Sequence, residues 1–267
     1  MTRTTGDHEG ISLTEVVAFL DDILQTATTP DYQNALNGLQ LTNSGSITRI
    51  AVAVDFSTEV VDAVVTAEAN FLLVHHGMFW SGLQPFVGGY YSRLRSLLNA
   101  DVAVYASHLP LDRHGDFGNN VLLARTLGLN IQSGFAHFKD IPIGVQGSSD
   151  IETSILVDRV RTFSRKHGGD AIVAGRTSPE ARTRRWGICT GAGASSDTLN
   201  EASREGIDTL IVGEGPHWTA VDAADRGVTI IYAGHYASET LGVYALGSEL
   251  SRHFQVDCIR ISAPTRL

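Results

Sequence analysis

The fold is decided by residues 50–80, which read IAVAVDFSTEVVDAVVTAEANFLLVHHGMFW. A second stretch, residues 188–218, aligns with it without a gap at an offset of 138 residues and reads ICTGAGASSDTLNEASREGIDTLIVGEGPHW. Each copy opens with small and β-branched residues, continues with about ten residues of helical spacing, and ends in a short apolar run. This pattern predicts a strand–helix–strand unit that occurs twice.

Serine residues mark the predicted start of the helix in both copies. Ser57-Thr58 occupies this place in the first copy and Ser195-Ser196 in the second. A serine hydroxyl accepts hydrogen bonds from the backbone N–H groups that the first turn of a helix leaves unsatisfied. The two helices are therefore predicted to begin at equivalent positions.

A second match follows at an offset of 127 residues, from His108 to His235. It aligns residues 105–112 with residues 232–239, and the offset shortens because the first copy has an extra loop at roughly residues 81–91. Each copy has a histidine and, four residues later, a carboxylate: Asp112 or Glu239. On a helix this spacing places both side chains on one face. If the two copies face each other, both carboxylates would reach one place.

A histidine pair, His75-His76, ends the apolar run of the first copy. Ligands of α/β proteins bind at the carboxyl ends of strands. Neighbouring side chains on a strand point to opposite faces, so both rings could serve one site only where the strand ends. Even there the rings diverge, which suits two metal ions that take one histidine each. The dipeptide alone leaves a structural role open.

The two carboxylates have a simple alternative explanation. Each follows a predicted strand, where an acidic residue near a helix start can stabilise the helix dipole. Three histidines and two carboxylates together form a nitrogen and oxygen donor set suited to Zn, Mn, Fe, Co or Ni. The pattern therefore predicts two divalent metal ions, with these ligands: His75, His76, Asp112, His235 and Glu239.

A family resemblance rests on five short motifs spread in order over nearly the whole chain. They are Asn37-Gly38-Leu39-Gln40, Leu73-Val74-His75-His76-Gly77-Met78-Phe79-Trp80, Ser107-His108-Leu109-Pro110-Leu111-Asp112, Gly118-Asn119-Asn120 and Gly234-His235-Tyr236-Ala237-Ser238-Glu239-Thr240. The series resembles the GTP cyclohydrolase I type 2 family, also described as Nif-three-like dinuclear metal-centre proteins, in its short bacterial form. The resemblance implies two similar α/β halves, a dinuclear metal site between them and a homohexameric ring. By position it also implies the same five ligands, with Glu239 as the bridge and His108 beside them.

The predicted fold class is α/β, an internal duplication of two similar halves with mixed sheets and the metal site in the cleft between them. The first half is assigned to residues 1–134, with residues 1–10 as a flexible tail, and the second half to residues 135–267. Ser12 and Glu15 have the spacing of a capping box. Residues 131–146 show a less regular pattern, and the last helix is predicted from Thr240 to His253.

Composition narrows the classes of function. The net charge of −9 argues against a broad duplex-DNA surface, although it allows a local basic pocket for one phosphorylated small molecule. No apolar stretch reaches the roughly 18 residues that span a membrane. Both cysteines, Cys189 and Cys258, lie in apolar runs typical of buried reduced thiols. We therefore expect a cytoplasmic protein with neither membrane nor nucleic acid as a partner.

The donor set favours a metal-dependent hydrolase, and the resemblance points to a purine nucleotide, GTP, or a related small molecule as the substrate. Two close metal ions can activate a water molecule and polarise an electrophile. His108 and Glu214 are the candidate catalytic proton carriers, and Glu214 stands where the first copy has His76. The alternative is a non-catalytic scaffold whose metals staple the halves of a hexameric ring that recruits partners. A metal-handling or nucleic-acid-associated role is a third, less attractive, interpretation.

Overall fold

The computed structural model of the chain describes residues 10–176, 178 and 180–267. The predicted flexible tail at residues 1–10 lies, except for Gly10, outside this part. The strands are β1 (Ile11–Ser12), β2 (Gly38–Leu41), β3 (Ser46–Ile47), β4 (Arg49–Asp55), β5 (Phe71–His76), β6 (Ala103–Ala106), β7 (Ile131–Phe138), β8 (Ile141–Glu152), β9 (Ile172–Gly175), β10 (Arg182–Cys189), β11 (Thr209–Val212), β12 (Thr229–Tyr232) and β13 (Asp257–Arg260). The helices are α1 (Leu13–Leu24), α2 (Thr58–Thr66), α3 (Gly88–Asn99), α4 (Leu109–Asp112), α5 (Asn119–Thr126), α6 (Thr153–Lys166), α7 (Ser196–Arg204), α8 (His217–Asp225) and α9 (His235–Phe254).

The chain forms two compact units. The first unit runs to Pro110 and includes Val243–Ala263, and the second comprises Leu111–Gly242 and Pro264–Leu267. This division differs from the halves assigned at residues 134 and 135. β13 belongs to the first unit because it pairs in parallel with β4, and β7 and β8 belong to the second because β8 pairs with β10.

The first unit contains a five-stranded sheet in the order β13-β4-β5-β6-β2. Its first four strands are parallel, and β2 pairs antiparallel with β6 at one edge. Every residue of β5 is buried, as expected for a central strand of a parallel sheet. Apolar side chains from the strands and from α2 and α3 form its core, among them Val60, Val61, Val64, Leu72, Val74 and Leu97.

The second unit contains a six-stranded sheet in the order β7-β8-β10-β11-β12-β9. β10, β11 and β12 are parallel, whereas the other pairs are antiparallel. Both sheets are thus α/β sheets of mixed direction, which confirms the predicted α/β class with mixed sheets. The metal site assigned to the cleft between the halves stays a prediction. Among the described residues, none of the helices is long and apolar enough to cross a membrane.

The repeated strand–helix–strand unit is confirmed in both places. β4, α2 and β5 form the first copy, and β10, α7 and β11 form the second. The Ser57 hydroxyl accepts a hydrogen bond of 3.1 Å from the Val60 amide, and the Ser195 hydroxyl accepts one of 3.1 Å from the Thr198 amide. Each serine therefore caps its helix as its position predicted.

Three local predictions were wrong. Ser12 occupies the N-cap position of α1 but makes no side-chain capping bond, and it also pairs with Ser46 of β3. Residues 131–146 are regular: they belong to the β7–β8 hairpin, whose turn residues Lys139 and Asp140 both have positive φ. Such turns usually carry Asn-Gly or Asp-Gly, so Lys-Asp gave no signal. Finally, α9 begins at His235, five residues before the predicted start.

Candidate metal centre

The histidines of the first unit lie at the carboxyl ends of two neighbouring parallel strands. His75 and His76 are the last residues of β5, and His108 follows β6 after one intervening residue. The register pairs Val74 with Ala106, so the chain leaves both strands at the same edge of the sheet. This is the edge at which α/β sheets bind ligands.

The three rings form a compact buried group. His75, His76 and His108 can each offer one ring nitrogen, and these nitrogens lie within 4.8 Å of one another. The residues are 1%, 5% and 8% exposed. Buried polar rings carry a desolvation cost unless they are hydrogen-bonded or bind a ligand. The group therefore could hold a metal ion.

An oxygen atom holds the Nδ1 atom of each ring. His75 Nδ1 lies 2.8 Å from the Ser107 carbonyl oxygen, His76 Nδ1 lies 2.8 Å from Asp55 Oδ1, and His108 Nδ1 lies 2.9 Å from Asp31 Oδ1. Since these oxygens accept hydrogen bonds, each Nδ1 donates, and Nε2 is the ring nitrogen that can bind a metal ion. Metal-binding histidines have this arrangement, because the acceptor fixes both the tautomer and the ring orientation.

Asp31 and Asp55 were absent from the residues selected from sequence. Asp55 ends β4 and pairs in register with His76, so its place at a strand end was a usable signal. Asp31 lies in a loop without periodicity, 77 residues from its partner. Although burial raises the pKa of Asp31, hydrogen bonds from His108, Asn37 and the Tyr32 amide outweigh it and lower the pKa below its usual range.

Asn37 positions this loop. Its side-chain amide donates a 2.8 Å hydrogen bond to Asp31 Oδ2, and its Oδ1 accepts a 2.7 Å bond from the His108 amide. Asn37 therefore ties the carboxylate to the backbone of the histidine that the same carboxylate orients. This explains the presence of Asn37 in the first of the five sequence motifs.

The second unit places His235 and Glu239 in the first turn of α9. His235 Nε2 lies 3.1 Å from Glu239 Oε2, and His235 Nδ1 lies 2.9 Å from Glu214 Oε1. Burial would lower the pKa of His235, but the carboxylates of Glu239 and Glu214 outweigh it and raise the pKa to about 9. The two carboxylates therefore favour the protonated, positively charged form of the His235 ring. A metal cation bound at the same place would supply that positive charge in place of the proton.

Asp112 is buried in the second unit and is 6% exposed. The Asn119 side-chain amide donates a 2.8 Å hydrogen bond to Asp112 Oδ1, while Asn119 Oδ1 accepts a 2.7 Å bond from the Gly242 amide. Asn119 thus fixes one carboxylate oxygen of Asp112. Burial raises the pKa of Cys189 far above its usual range, and the charges of Asp112 and Glu239 add to this effect. Cys189 is therefore a neutral thiol, and it is buried and unpaired with another cysteine as predicted, whereas Cys258 is also a free thiol but only half-buried.

The structure gives Glu214 a contact that the sequence did not reveal. It was selected as a proton carrier, and its carboxylate holds the Nδ1 atom of His235. Its side chain is 42% exposed, and it lines a cavity of about 360 Å³ together with His217. Glu214 therefore has access to solvent while it orients the neighbouring ring.

Imidazole nitrogens and carboxylate oxygens in buried, pre-oriented positions suit borderline divalent metals. The three rings of the first unit could hold a metal ion, and the second unit adds a histidine–carboxylate pair, His235 and Glu239. These are the features of an α/β protein, built from a duplicated unit, whose side chains could bind a metal.

The chain belongs to the DUF34/NIF3 family. The family model described as Duf34/NIF3 (NGG1p interacting factor 3) matches residues 11–265. A Deinococcus radiodurans protein named GTP cyclohydrolase 1 type 2 homolog is 36% identical over 265 residues, covering 98% of this chain and 97% of that protein. These matches confirm the resemblance drawn from the motifs.

Solved structures share the fold over nearly the whole chain. A protein called ybgI, described as of unknown function, has a TM-score of 0.86 at 31% identity, covering 96% of this chain and 100% of its own. TTHA1606 from Thermus thermophilus has a TM-score of 0.82 at 29% identity, covering 96% of this chain and 100% of its own.

Proposed function

We propose that the protein binds two divalent metal ions and is a metal-dependent hydrolase of a purine nucleotide or a related small molecule. The proposed ligands are His75, His76, Asp112, His235 and Glu239, with Glu239 as the bridge. One observation carries this proposal: the buried rings of His75, His76 and His108 bring one nitrogen each within 4.8 Å of the others, while an oxygen acceptor engages every Nδ1. A histidine–oxygen contact also occurs at His137, away from these rings, so the convergence of three oriented rings is the feature that core packing does not require.

The metal ions, when bound, would supply Lewis-acid polarisation of the substrate and activation of water. The chain supplies orientation and proton transfer. Asp31 holds the Nδ1 proton of His108, so any proton that His108 exchanges with a substrate passes through Nε2. Glu214 is the second candidate proton carrier, because it contacts His235 and is partly exposed to solvent.

The substrate class is supported by the name of the Deinococcus relative, which covers nearly the same length of chain. It is also supported by Trp80, whose ring centroid lies 4.6 Å from that of His76 and 4.5 Å from that of His108. An aromatic wall beside candidate ligands suits a planar base, since bases stack on aromatic side chains.

The test begins with elemental analysis of the purified protein, followed by a nucleotide-hydrolysis screen with and without a chelator. We expect about two equivalents of metal per chain and turnover that the chelator abolishes and added metal restores. Chelation should also lower the melting temperature, because a metal that binds only the folded state stabilises it by about 2.7 kcal/mol at 100 times its dissociation constant. A protein without metal contradicts the whole proposal. A fully loaded protein without turnover on any nucleotide contradicts the hydrolase and favours the scaffold.

The homohexameric ring and the cytoplasmic location stay predictions from the sequence. Light scattering coupled to size-exclusion chromatography measures the first, and a monomer or dimer at micromolar concentration would contradict it. Cell fractionation measures the second.

A further inference from the structure

A second cavity lies in the first unit beside the candidate ligand His76. It has a volume of about 220 Å³, and the residues that line it include Asp55, His76, Trp80, Ser81, Tyr90 and Arg93. Drug-sized ligands usually occupy pockets of about 300–1,000 Å³, so this one suits a single functional group.

Arg93 is the only Lys or Arg among the described residues that line the pocket. Its guanidinium carbon lies 5.5 Å from the ring centroid of Phe56 and 5.4 Å from that of Tyr90. Its Nη1 donates a 3.2 Å hydrogen bond to the Thr58 hydroxyl. Two rings and one hydroxyl therefore hold the guanidinium in place before any ligand arrives.

Most of the hydrogen-bonding capacity of Arg93 is uncommitted. A guanidinium has five N–H donors, and only the bond to Thr58 is formed among the described residues. The Nε atom is buried and has no hydrogen-bond partner. No described carboxylate forms an ion pair with Arg93, and Asp55 in the same pocket has Oδ1 engaged with His76 Nδ1. A guanidinium in the pocket wall that lacks an ion pair and makes one hydrogen bond among the described residues favours a ligand that brings several acceptor oxygens.

We propose that this pocket binds the phosphate group of a phosphorylated small molecule, with Arg93 as the anion-binding residue. Arginine in a fixed orientation matches the oxygen geometry of phosphate with two parallel hydrogen bonds. Since His76 lines the same pocket, a ligand anchored here has its other end next to the candidate ligands. The evidence for the phosphate site is the pocket and the contacts of Arg93. The further claim that this site binds part of a substrate rests on the proposed hydrolase function.

The test is a calorimetric titration of the purified protein with inorganic phosphate, at constant ionic strength and after its metal content has been measured. Arg93→Met keeps an unbranched side chain but removes the guanidinium and its charge. We expect phosphate affinity to fall about 10- to 100-fold, with metal content unchanged. The matched control is Arg95→Met, because Arg95 is an exposed arginine on α3 that does not line the pocket. It should bind phosphate like the parent protein.

A second variant covers the case in which Arg93→Met does not fold. Ser81 is exposed and lines the pocket, so Ser81→Asp adds a negative charge there without disturbing the core. We expect it to weaken phosphate binding at least about 5-fold at low salt, whereas Ser92→Asp, outside the pocket, should not.

Three results would overturn the site: phosphate binding that is equal in Arg93→Met and parent protein, no phosphate binding by the parent, or acetate binding as tight as phosphate binding. These results are separate from the fate of the hydrolase. A parent protein that binds phosphate through Arg93 but lacks metal or turnover disproves the hydrolase and keeps the site. If turnover is found, Arg93→Met should raise KM for a nucleotide about 10-fold or more with a smaller change in kcat, and leave KM for the matching nucleoside unchanged.

Discussion

The two copies of the repeated unit end differently, and packing explains why. At the offset of 138 residues, Gly213 and Glu214 stand where the first copy has His75 and His76. A Cβ atom added at Gly213 would lie 2.4 Å from the Gly191 carbonyl oxygen and 2.7 Å from the Ser238 hydroxyl oxygen. The backbone at Gly191 and the first turn of α9 thus take the space that a side chain would need. The second copy has no room for a histidine at this position.

A histidine oriented by a carboxylate occurs in both copies, although the carboxylate comes from different places. His108 follows β6 and is held by Asp31 from an early loop, whereas His235 follows β12 and is held by Glu214 from the end of β11. The histidine therefore follows an equivalent strand in both copies, whereas the carboxylate that accepts from its Nδ1 comes from a different part of the chain in each. The contacts with Asp31 and Glu214 are thus specific to one copy each.

The largest loss of metal affinity is expected from Glu239→Gln, with Glu201→Gln as the matched control. Both glutamates are buried and contact a histidine, since Glu201 Oε1 lies 2.7 Å from His137 Nδ1. Removal of an orienting partner alone costs about 10- to 100-fold in metal affinity, so if Glu239 is the bridging ligand proposed above, its loss should cost more than ~100-fold. Elemental analysis and competition with a chelator measure this. Equal metal loss in both variants would refute the special role of Glu239.

The next largest loss of metal affinity is expected when a carboxylate that orients a histidine loses its charge. The three variants are Asp31→Asn, Asp55→Asn and Glu214→Gln. Each change keeps an oxygen acceptor but removes its charge, and we expect metal affinity to fall about 10- to 100-fold. Glu214→Gln should lie at the low end because its carboxylate is partly exposed. If Glu214 instead acts as an acid or base, this variant would keep its metal and lose one limb of the pH–rate profile.

Gly213→Ala tests the packing difference between the copies. The added methyl group meets backbone on one side and Ser238 on the other, so we expect a loss of about 1–3 kcal/mol in unfolding free energy, measured in urea. The control is Gly115→Ala, since a Cβ atom there meets nothing within 4 Å. An equally stable Gly213→Ala protein would show that space does not exclude a side chain from the second copy.

The smallest effects concern the shared helix starts. Ser57→Ala and Ser195→Ala should each lower the unfolding free energy by about 1 kcal/mol, because each removes a capping bond. Ser12→Ala is the control, since Ser12 precedes α1 without such a bond. Its change should stay within about 0.5 kcal/mol. A large effect of Ser12→Ala would mean that capping is not what separates the three serines.

Local patterns were sufficient for much of the fold. Apolar runs, helical spacing and a capping serine act within a few residues, so the repeat, both βαβ units and the starts of α2 and α7 could be predicted. The same patterns failed where the pairing partner decided the structure. The β7–β8 hairpin has no Asn-Gly turn, and Ser12 precedes α1 within the short β1–β3 pairing without making a side-chain capping bond.

The sequence by itself determined the family, the duplicated α/β fold and the candidate donors, because these depend on residue types at constant spacing. Only the tertiary structure decided which oxygen holds each ring. His108 meets Asp31 across 77 residues, and both His76 and His235 meet carboxylates 21 residues away. These contacts depend on where strands and loops lie after the chain has folded, and no local preference encodes them. The anion-binding arrangement of Arg93 also depends on tertiary structure. Its guanidinium is positioned by Phe56, Tyr90 and Thr58, and these contacts exist only in the folded chain.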